Sequence, residues 1–243
     1  VNDYFDFMNG TDNINKNALT PFTGGSRFIQ NGLISPSQTI RFGLALILLG
    51  SVAGLYLTLK TNTLLLFIGA FGLFTGFFYT APPVFLAARG LGELVVGLNF
   101  GVLTVLGSYI VQTKGGVSLN ALFSSLPVSF LITALLYMNE FPDYEADKEA
   151  GKRTLVVRLG LSSARYGMIL LALFACLSVI AGVIAGIMPA LSLLSLLSAF
   201  TLVPGVYGLF KNHDNPQRLL PSIKSVILAH LITGLLLIIS NIA

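Results

Sequence analysis

Charge is the scarcest property of this chain. Of its 243 residues, 10% are Asp, Glu, Lys or Arg and 54% are hydrophobic, and the mean hydropathy is +0.83. A soluble domain clothes its surface with about 25% charged residues, so the composition excludes a water-soluble globular enzyme and a disordered chain. The net charge of +4 is too small and too scattered to argue for a nucleic acid or another polyanion as partner. A single cysteine, Cys176, excludes a disulfide framework and a thiolate metal centre. The two histidines, His213 and His230, are too few and too separated for a His-based zinc site. What remains is an integral membrane protein, in which the few charges carry the information.

A transmembrane helix needs about 20 largely apolar residues. Seven segments meet that length: Ile40–Leu59, Thr63–Thr80, Leu94–Gln112, Ser118–Met138, Arg165–Met188, Ala190–Phe210 and Ser222–Ile242. Their apolar residues run continuously rather than alternating, which predicts helices and not barrel strands. The expected fold is an all-α membrane protein, a multi-helix transmembrane bundle, with residues 1–243 as one domain. Internal glycines, Pro127 and Pro204 are tolerable because neighbouring helices repair local hydrogen bonding. Short turns alternate with long polar connections at Met8–Thr39, Ala81–Glu93, Asn139–Ala164 and Lys211–Pro221, which all fall on one membrane side if every span crosses once. All of the Lys and Arg residues except Lys60 and Lys114 lie on or beside those connections, and the positive-inside rule places them in the cytoplasm. No signal peptide is visible. Val1–Phe7 reads as the end of a helix already in progress, so the chain is expected to lack its beginning, to expose a seam and to be inactive by itself.

The ten acidic residues are not spread evenly. Eight fall in two clusters, Asn2–Asp12 and Asn139–Glu149, both at the same membrane side. Concentrating negative charge at two helix ends costs repulsion and calls for cations. Hard oxygen ligands in this number suit Mg²⁺ or Mn²⁺, which take one or two carboxylates together with substrate phosphates. In Asn2-Asp3-Tyr4-Phe5-Asp6, helical geometry puts Asp3 and Asp6 (i, i+3) and Asn2 and Asp6 (i, i+4) on one face, and Asp143 and Asp147 are again i, i+4. Pro142 fits the first turn of a new short helix and Gly151 its end. Two such faces can each hold a metal and clamp one diphosphate. An EF-hand beginning at Asp143 is excluded, because Lys148 and Thr154 stand where Gly and Glu are required.

At these clusters the sequence resembles the UbiA family of intramembrane aromatic prenyltransferases. The family carries an Asn-Asp-x-x-Asp motif at the end of its second helix and an Asp-x-x-x-Asp motif after its sixth. They match Asn2–Asp6 and Asp143–Asp147, the latter extended through Gly151-Lys152-Arg153-Thr154-Leu155. The family has nine transmembrane helices, so a chain without the first and most of the second has seven, the number counted above. Gly10 stands where many members have a third Asp, and Asp12 follows as a further candidate ligand. Gly24-Gly25-Ser26-Arg27 and Gly32-Leu33-Ile34-Ser35-Pro36 look most like the menaquinone-pathway branch, which prenylates 1,4-dihydroxy-2-naphthoate. Tyr79-Thr80-Ala81-Pro82-Pro83, with Arg89 and Gly90-Leu91-Gly92-Glu93, resembles the family loop that caps the active site.

The resemblance implies magnesium-dependent transfer of a polyprenyl group from its diphosphate to an aromatic acceptor within the bilayer, with no obligate protein partner. Asp3, Asp6, Asp143 and Asp147 would be the catalytic metal ligands. Asn2, Asn139, Lys152, Arg89, Arg27 and Tyr79 would bind the diphosphate. Other acceptors known for such enzymes are a hydroxybenzoate, a tetrapyrrole alcohol and a glyceryl phosphate. A secondary transporter is the alternative from another class, but it would carry its carboxylates near the bilayer midplane rather than at helix ends. His230, Asn99 and Gln112 read first as packing or helix–helix hydrogen bonding, Cys176 as packing. Glu93 either pairs with Arg89 or takes part in proton or acceptor chemistry.

Overall fold

The computed structural model describes residues 1–242, which form helices and connecting loops, with no strand among the described residues. The helices are α1 (Asn2–Met8), α2 (Thr11–Ile14), α3 (Pro36–Lys60), α4 (Leu64–Phe77), α5 (Gly92–Thr113), α6 (Leu119–Glu149), α7 (Leu155–Leu159), α8 (Leu161–Ile184), α9 (Ala190–Asn212) and α10 (Leu220–Ile242). Six are long and apolar enough to cross a membrane, and the chain is an integral multi-pass membrane protein. The seventh expected span is shorter than its apolar run. α4 has 14 residues, about 21 Å at 1.5 Å per residue against about 30 Å of hydrocarbon. It ends because the carbonyls of Phe78 and Tyr79 accept from Leu86 and Ala87 across a turn instead of continuing the helix.

Local chemistry fixes the helix ends. Ser35 caps α3 in a reciprocal box with Gln38, and Pro36 occupies the first helical position. Ser118 caps α6 by accepting from the Ala121 amide. At the other end of α6, Gly151 adopts φ +75°. Its amide bonds to Lys148 O at 3.2 Å and that of Lys152 to Asp147 O at 2.8 Å, the paired bonds of a left-handed helix stop. Gly151 therefore ends a helix as expected, but Pro142 does not begin one. α6 runs unbroken through both Pro127 and Pro142. A proline inside a helix costs about 3 kcal/mol; here both prolines are buried, and Tyr137, Met138 and Phe141 beside Pro142 anchor the same helix in the main core.

α6 is the central element, packing on α5, α8 and α10. Its contact with α5 is a close one. Gly97 and Gly101, one turn apart, face Ser129 and Thr133 of α6, and a Cβ on Gly101 would collide with the Ser129 backbone. Ser129 Oγ donates to Gly97 O at 2.8 Å and Thr133 Oγ1 to Glu93 O at 3.3 Å. Small residues let helix backbones approach, and hydroxyls then bond across the gap. The same stretch, Gly97–Leu103, widens into π-helical turns. α3 stands apart from this core: its most apolar window is 6% buried, against 39% for α6. Asn99 donates to Thr75 Oγ1 at 2.8 Å, joining α5 to α4, and Gln112 bonds back to Ser108 O. His230 Nδ1 is buried without a partner.

Overpacking a tight core typically costs about 1–3 kcal/mol. Gly101→Ala is therefore expected to lower the thermal midpoint in detergent clearly, whereas Gly50→Ala, where an added Cβ meets nothing, leaves it unchanged.

Candidate functional site

The site forms where the ends of α1 and α6 meet beneath two loops. Lys152, placed by the helix stop just described, points its ammonium between the motifs. Its Nζ lies 3.6 Å from Asp147 Oδ1 and 4.0 Å from Asp6 Oδ2. One residue of each acidic motif thus sits within reach of a single small cation. Asp6 and Asp147 are 7% and 3% exposed, so the contacts are made away from bulk water.

The remaining motif residues are held by the segment between α1 and α3. Asn15 Nδ2 donates to Asp143 Oδ1 at 2.7 Å, and Thr23 and Gly24 of the same loop lie near that carboxylate. Asn9 Nδ2 donates to Asp6 Oδ1 at 3.3 Å. Ser26 donates to Asp3. Asp3 and Asp6 therefore face different surroundings. Asp6 borders a cavity of about 360 Å³ with Asn9, Thr11, Tyr79, Arg89 and Lys152. Asp3 and exposed Asn2 border a separate hollow of about 710 Å³ with Ser26, Gln38 and Phe42. Asn139, Asp143 and Asp147 share a small pocket of about 60 Å³ with Tyr79, Glu140 and Lys152. Tyr79 and Lys152 line both this small pocket and the cavity of about 360 Å³ beside Asp6, and so join the two. Arg27 turns away: its guanidinium donates to the backbone carbonyls of Asp12 and Asn15.

The electrostatics are lopsided. Burial pushes Asp12 up to about 7, and the neighbouring Asp6 and Asp3 carboxylates add to the effect. For Lys152, burial works against the charge, yet Asp147, Asp6, Tyr79 and Asp143 outweigh it and hold the ammonium well above its usual range. Burial likewise raises the Tyr79 hydroxyl, keeping it a neutral donor. Asn139 Oδ1 is buried with no hydrogen-bond partner, an acceptor aimed at the small pocket. Among the described residues no three His, Cys, Asp or Glu side chains converge as a closed metal cage. Mg²⁺ binds through one or two carboxylates, waters and substrate phosphates. An excess of carboxylates over cations, together with an orphaned amide oxygen, is a donor set that fits such an ion.

Three residues here were not singled out in the sequence: Asn9, Asn15 and Thr23. The density of asparagines from Asn9 to Asn17 was a usable signal, since a membrane protein has little reason to place so many amides in one loop unless they bond to something polar. Glu93 is not paired with Arg89. Its Oε1 accepts from the Leu155 amide at 2.7 Å, and Arg89 donates to Pro83 O at 3.2 Å. Gly90, at φ +69°, turns the chain between the two residues.

The folded state binds a proton at Asp12 that the unfolded chain has released by neutral pH, so this carboxylate costs stability increasingly as pH rises from about 4 to about 7. In magnesium-free buffer Asp12→Asn is expected to match the parent's thermal midpoint near pH 4 and to exceed it near pH 8; an advantage independent of pH would contradict this.

With this geometry in view, the chain compares with known proteins as follows. The model of the UbiA prenyltransferase family matches residues 1–223. The chain is 27% identical over 236 residues to the 1,4-dihydroxy-2-naphthoate octaprenyltransferase of Bacillus subtilis (strain 168), covering 97% of this chain and 73% of that protein. It is 32% identical over 209 residues to the human UbiA prenyltransferase domain-containing protein 1, covering 83% of this chain and 58% of that one. The Dictyostelium discoideum protein of the same name is 41% identical over 99 residues, covering 41% and 30%. The chain thus spans about half or less of its eukaryotic relatives and about three quarters of the bacterial one. A match from the first residue to within the last helix, carried by motifs that converge on one lysine, places this chain in the UbiA prenyltransferase family.

Proposed function

We propose that the protein transfers a polyprenyl group from a polyprenyl diphosphate to an aromatic acceptor, with 1,4-dihydroxy-2-naphthoate as the acceptor and Mg²⁺ as the ion. The observation that carries the reading is the single ammonium within 4.0 Å of both Asp6 and Asp147. The choice of acceptor is supported by the bacterial relative, whose name specifies that substrate and which matches along 97% of this chain. The site end of the bundle faces the cytoplasm by its excess of Lys and Arg.

Asp6 and Asp147, with Asp3 and Asp143 behind them, are the ligands that would hold Mg²⁺; Asp12 and Asn139 Oδ1 stand next to them. When bound, the ion neutralises the diphosphate and acts as a Lewis acid toward the leaving group. In the cavity of about 360 Å³, Lys152 and Arg89 give charge-assisted hydrogen bonds to phosphate oxygens. Those bonds strengthen as negative charge builds on the departing pyrophosphate, which makes them stronger in the transition state than in the ground state. The Tyr79 hydroxyl, neutral and half-buried at the junction of the two cavities, donates to the same oxygens.

The carbon left behind is an allylic cation that water would quench. Tyr4, Phe5, Phe77, Phe78 and Phe74 form a row of edge-to-face and tilted rings with centroids 4.9–6.0 Å apart, linking α1 to α4 beside Asp6 and Tyr79. Their faces offer cation–π attraction and their bulk excludes water. The electron-rich ring of the acceptor attacks the cation, then regains aromaticity by losing its carboxyl group as carbon dioxide or, in an acceptor without one, a proton.

Full-length protein incubated with geranylgeranyl diphosphate, Mg²⁺ and 1,4-dihydroxy-2-naphthoate should yield the prenylated naphthoquinol precursor by mass. Chelation should abolish turnover and added Mg²⁺ restore it. Asp6→Asn and Asp147→Asn should each lower kcat by about 10²–10³-fold, the loss expected when a preorganised electrostatic group is removed. Undiminished turnover in both variants would overturn the assignment. A panel containing 4-hydroxybenzoate, a tetrapyrrole alcohol and glyceryl phosphate tests the acceptor separately from the chemistry.

A further inference from the structure

The surplus positive charge of this protein is confined to one part of it. Residues 1–154 carry nine basic and nine acidic side chains, whereas residues 155–243 carry Arg158, Arg165, Lys211, Arg218 and Lys224 against the single acid Asp214. The whole excess of +4 therefore belongs to α7–α10 and their connections. The diphosphate site gives these bases no task, since Lys152, Arg89 and Arg27 all lie in the balanced part. Arg158 is engaged with the carbonyls of Arg89 and Arg153. The side chains of the other four make no hydrogen bond and no ion pair among the described residues. Arg165 Nε is buried with no acceptor at all.

Chain reversal brings the four to one end of the bundle. Arg165 stands in the second turn of α8, Lys211 in the last turn of α9, Arg218 in the connection that follows and Lys224 in the second turn of α10. Their neighbours Ala164, Leu209, Leu219 and Ile223 meet in the main core, which fixes these helix ends together. The Arg165 guanidinium carbon lies 5.3 Å from the Tyr166 ring centre and 5.2 Å from that of Phe210, and the two rings meet edge to face. Cation–π attraction holds the guanidinium without neutralising it, and a guanidinium fork matches phosphate oxygens. Tyr166 and Tyr207 are 53% and 68% exposed, as aromatic rings are at a membrane–water boundary. One turn further toward the bundle centre, Leu170 on α8 and Val203 on α9 are exposed as well. Unpaired bases thus stand above an apolar strip, the complement of a molecule with an anionic head and aliphatic chains. We propose that the start of α8, the end of α9 and the start of α10 bind an anionic phospholipid of the surrounding bilayer, with Arg165 anchoring its phosphate and Lys211, Arg218 and Lys224 supplying the attracting charge. Basic clusters between transmembrane helices bind acidic headgroups in this way. The inference stands apart from prenyl transfer, because it uses none of the residues of the diphosphate site.

Native mass spectrometry of the full-length protein in detergent, offered equal amounts of dioleoyl phosphatidylglycerol and dioleoyl phosphatidylcholine, tests this. The parent should retain phosphatidylglycerol at least about tenfold over phosphatidylcholine, since each base near a membrane surface is worth about fivefold in affinity for an acidic lipid. Arg165→Gln should lower phosphatidylglycerol binding about fivefold or more. The double variant Lys211→Gln/Lys224→Gln, whose side chains are exposed and make no hydrogen bond or ion pair, should lower it about tenfold or more with the fold intact, so the test does not hang on the packed arginine. Lys60→Gln/Lys114→Gln removes the same charge from the opposite end of the bundle and should leave binding unchanged. A parent that retains both lipids equally, or neither, overturns the proposal. So does an equal loss in the two double variants, which would make the binding a matter of net charge rather than of this site.

Discussion

Everything at the loop end of this bundle answers to one imbalance of charge. Asp6, Asp12 and Asp147 are buried and Asp3 and Asp143 partly so, while among the described residues Lys152 is the one ammonium in contact with both motifs. A membrane protein that spends so few charged residues elsewhere does not accumulate uncompensated carboxylates unless something positive completes the set. The lysine does part of that work in the free protein. It also sets the scale of the site, because an ion pair closes only when both partners lie within a few ångströms.

The helices serve this arrangement by where they stop. The left-handed stop at Gly151 converts the end of α6 into a hook that returns Lys152 over Asp147. The loop from Asn9 to Arg27 then spreads amides and hydroxyls over the carboxylates: Asn9 on Asp6, Asn15 on Asp143, Ser26 on Asp3. These bonds orient the oxygens without neutralising them, so the loop is a scaffold for charge rather than a sink for it. Arg27 belongs to the scaffold as well, since its guanidinium ties loop carbonyls together. The glycine contact between α5 and α6 brings Gly92 of α5 and Asn139 and Glu140 of α6 into the wall of the small pocket.

Much of this was readable in the residues alone. Spans are legible because length and apolarity are local properties, and six of the seven expected segments became full-length helices. The exception, α4, fails at its end, where the turn from Phe78 to Ala87 depends on hydrogen bonds that no hydropathy window registers. The shared pocket of Asp143 and Asp147 agrees with their helical spacing, as the stop at Gly151 agrees with its glycine, whereas Asp3 and Asp6, which spacing puts on one face, border separate cavities. Pro142 misled because a local rule for helix starts was outweighed by burial on both sides of it. Of the two readings left open for Glu93, the structure does not take the pair with Arg89: Gly90 turns the chain between them, and Glu93 accepts the Leu155 amide instead. Asn15 and Asp143 are 128 positions apart and Glu93 and the Leu155 amide 62; partners of that kind come from tertiary packing and leave no periodic trace.

The 31 residues of α6 have one more implication. At 1.5 Å per residue the helix is about 46 Å long, roughly half as long again as the oily slab it crosses. Its final turns, where Asp143 and Asp147 sit, therefore overshoot into the headgroup layer. An amphiphilic donor with a charged end and a greasy tail lies across that same boundary when dissolved in a bilayer. It can dock by sliding sideways at constant depth, its anionic end never dragged through oil, so recruitment is free of the dehydration barrier that a site at the bilayer centre would impose.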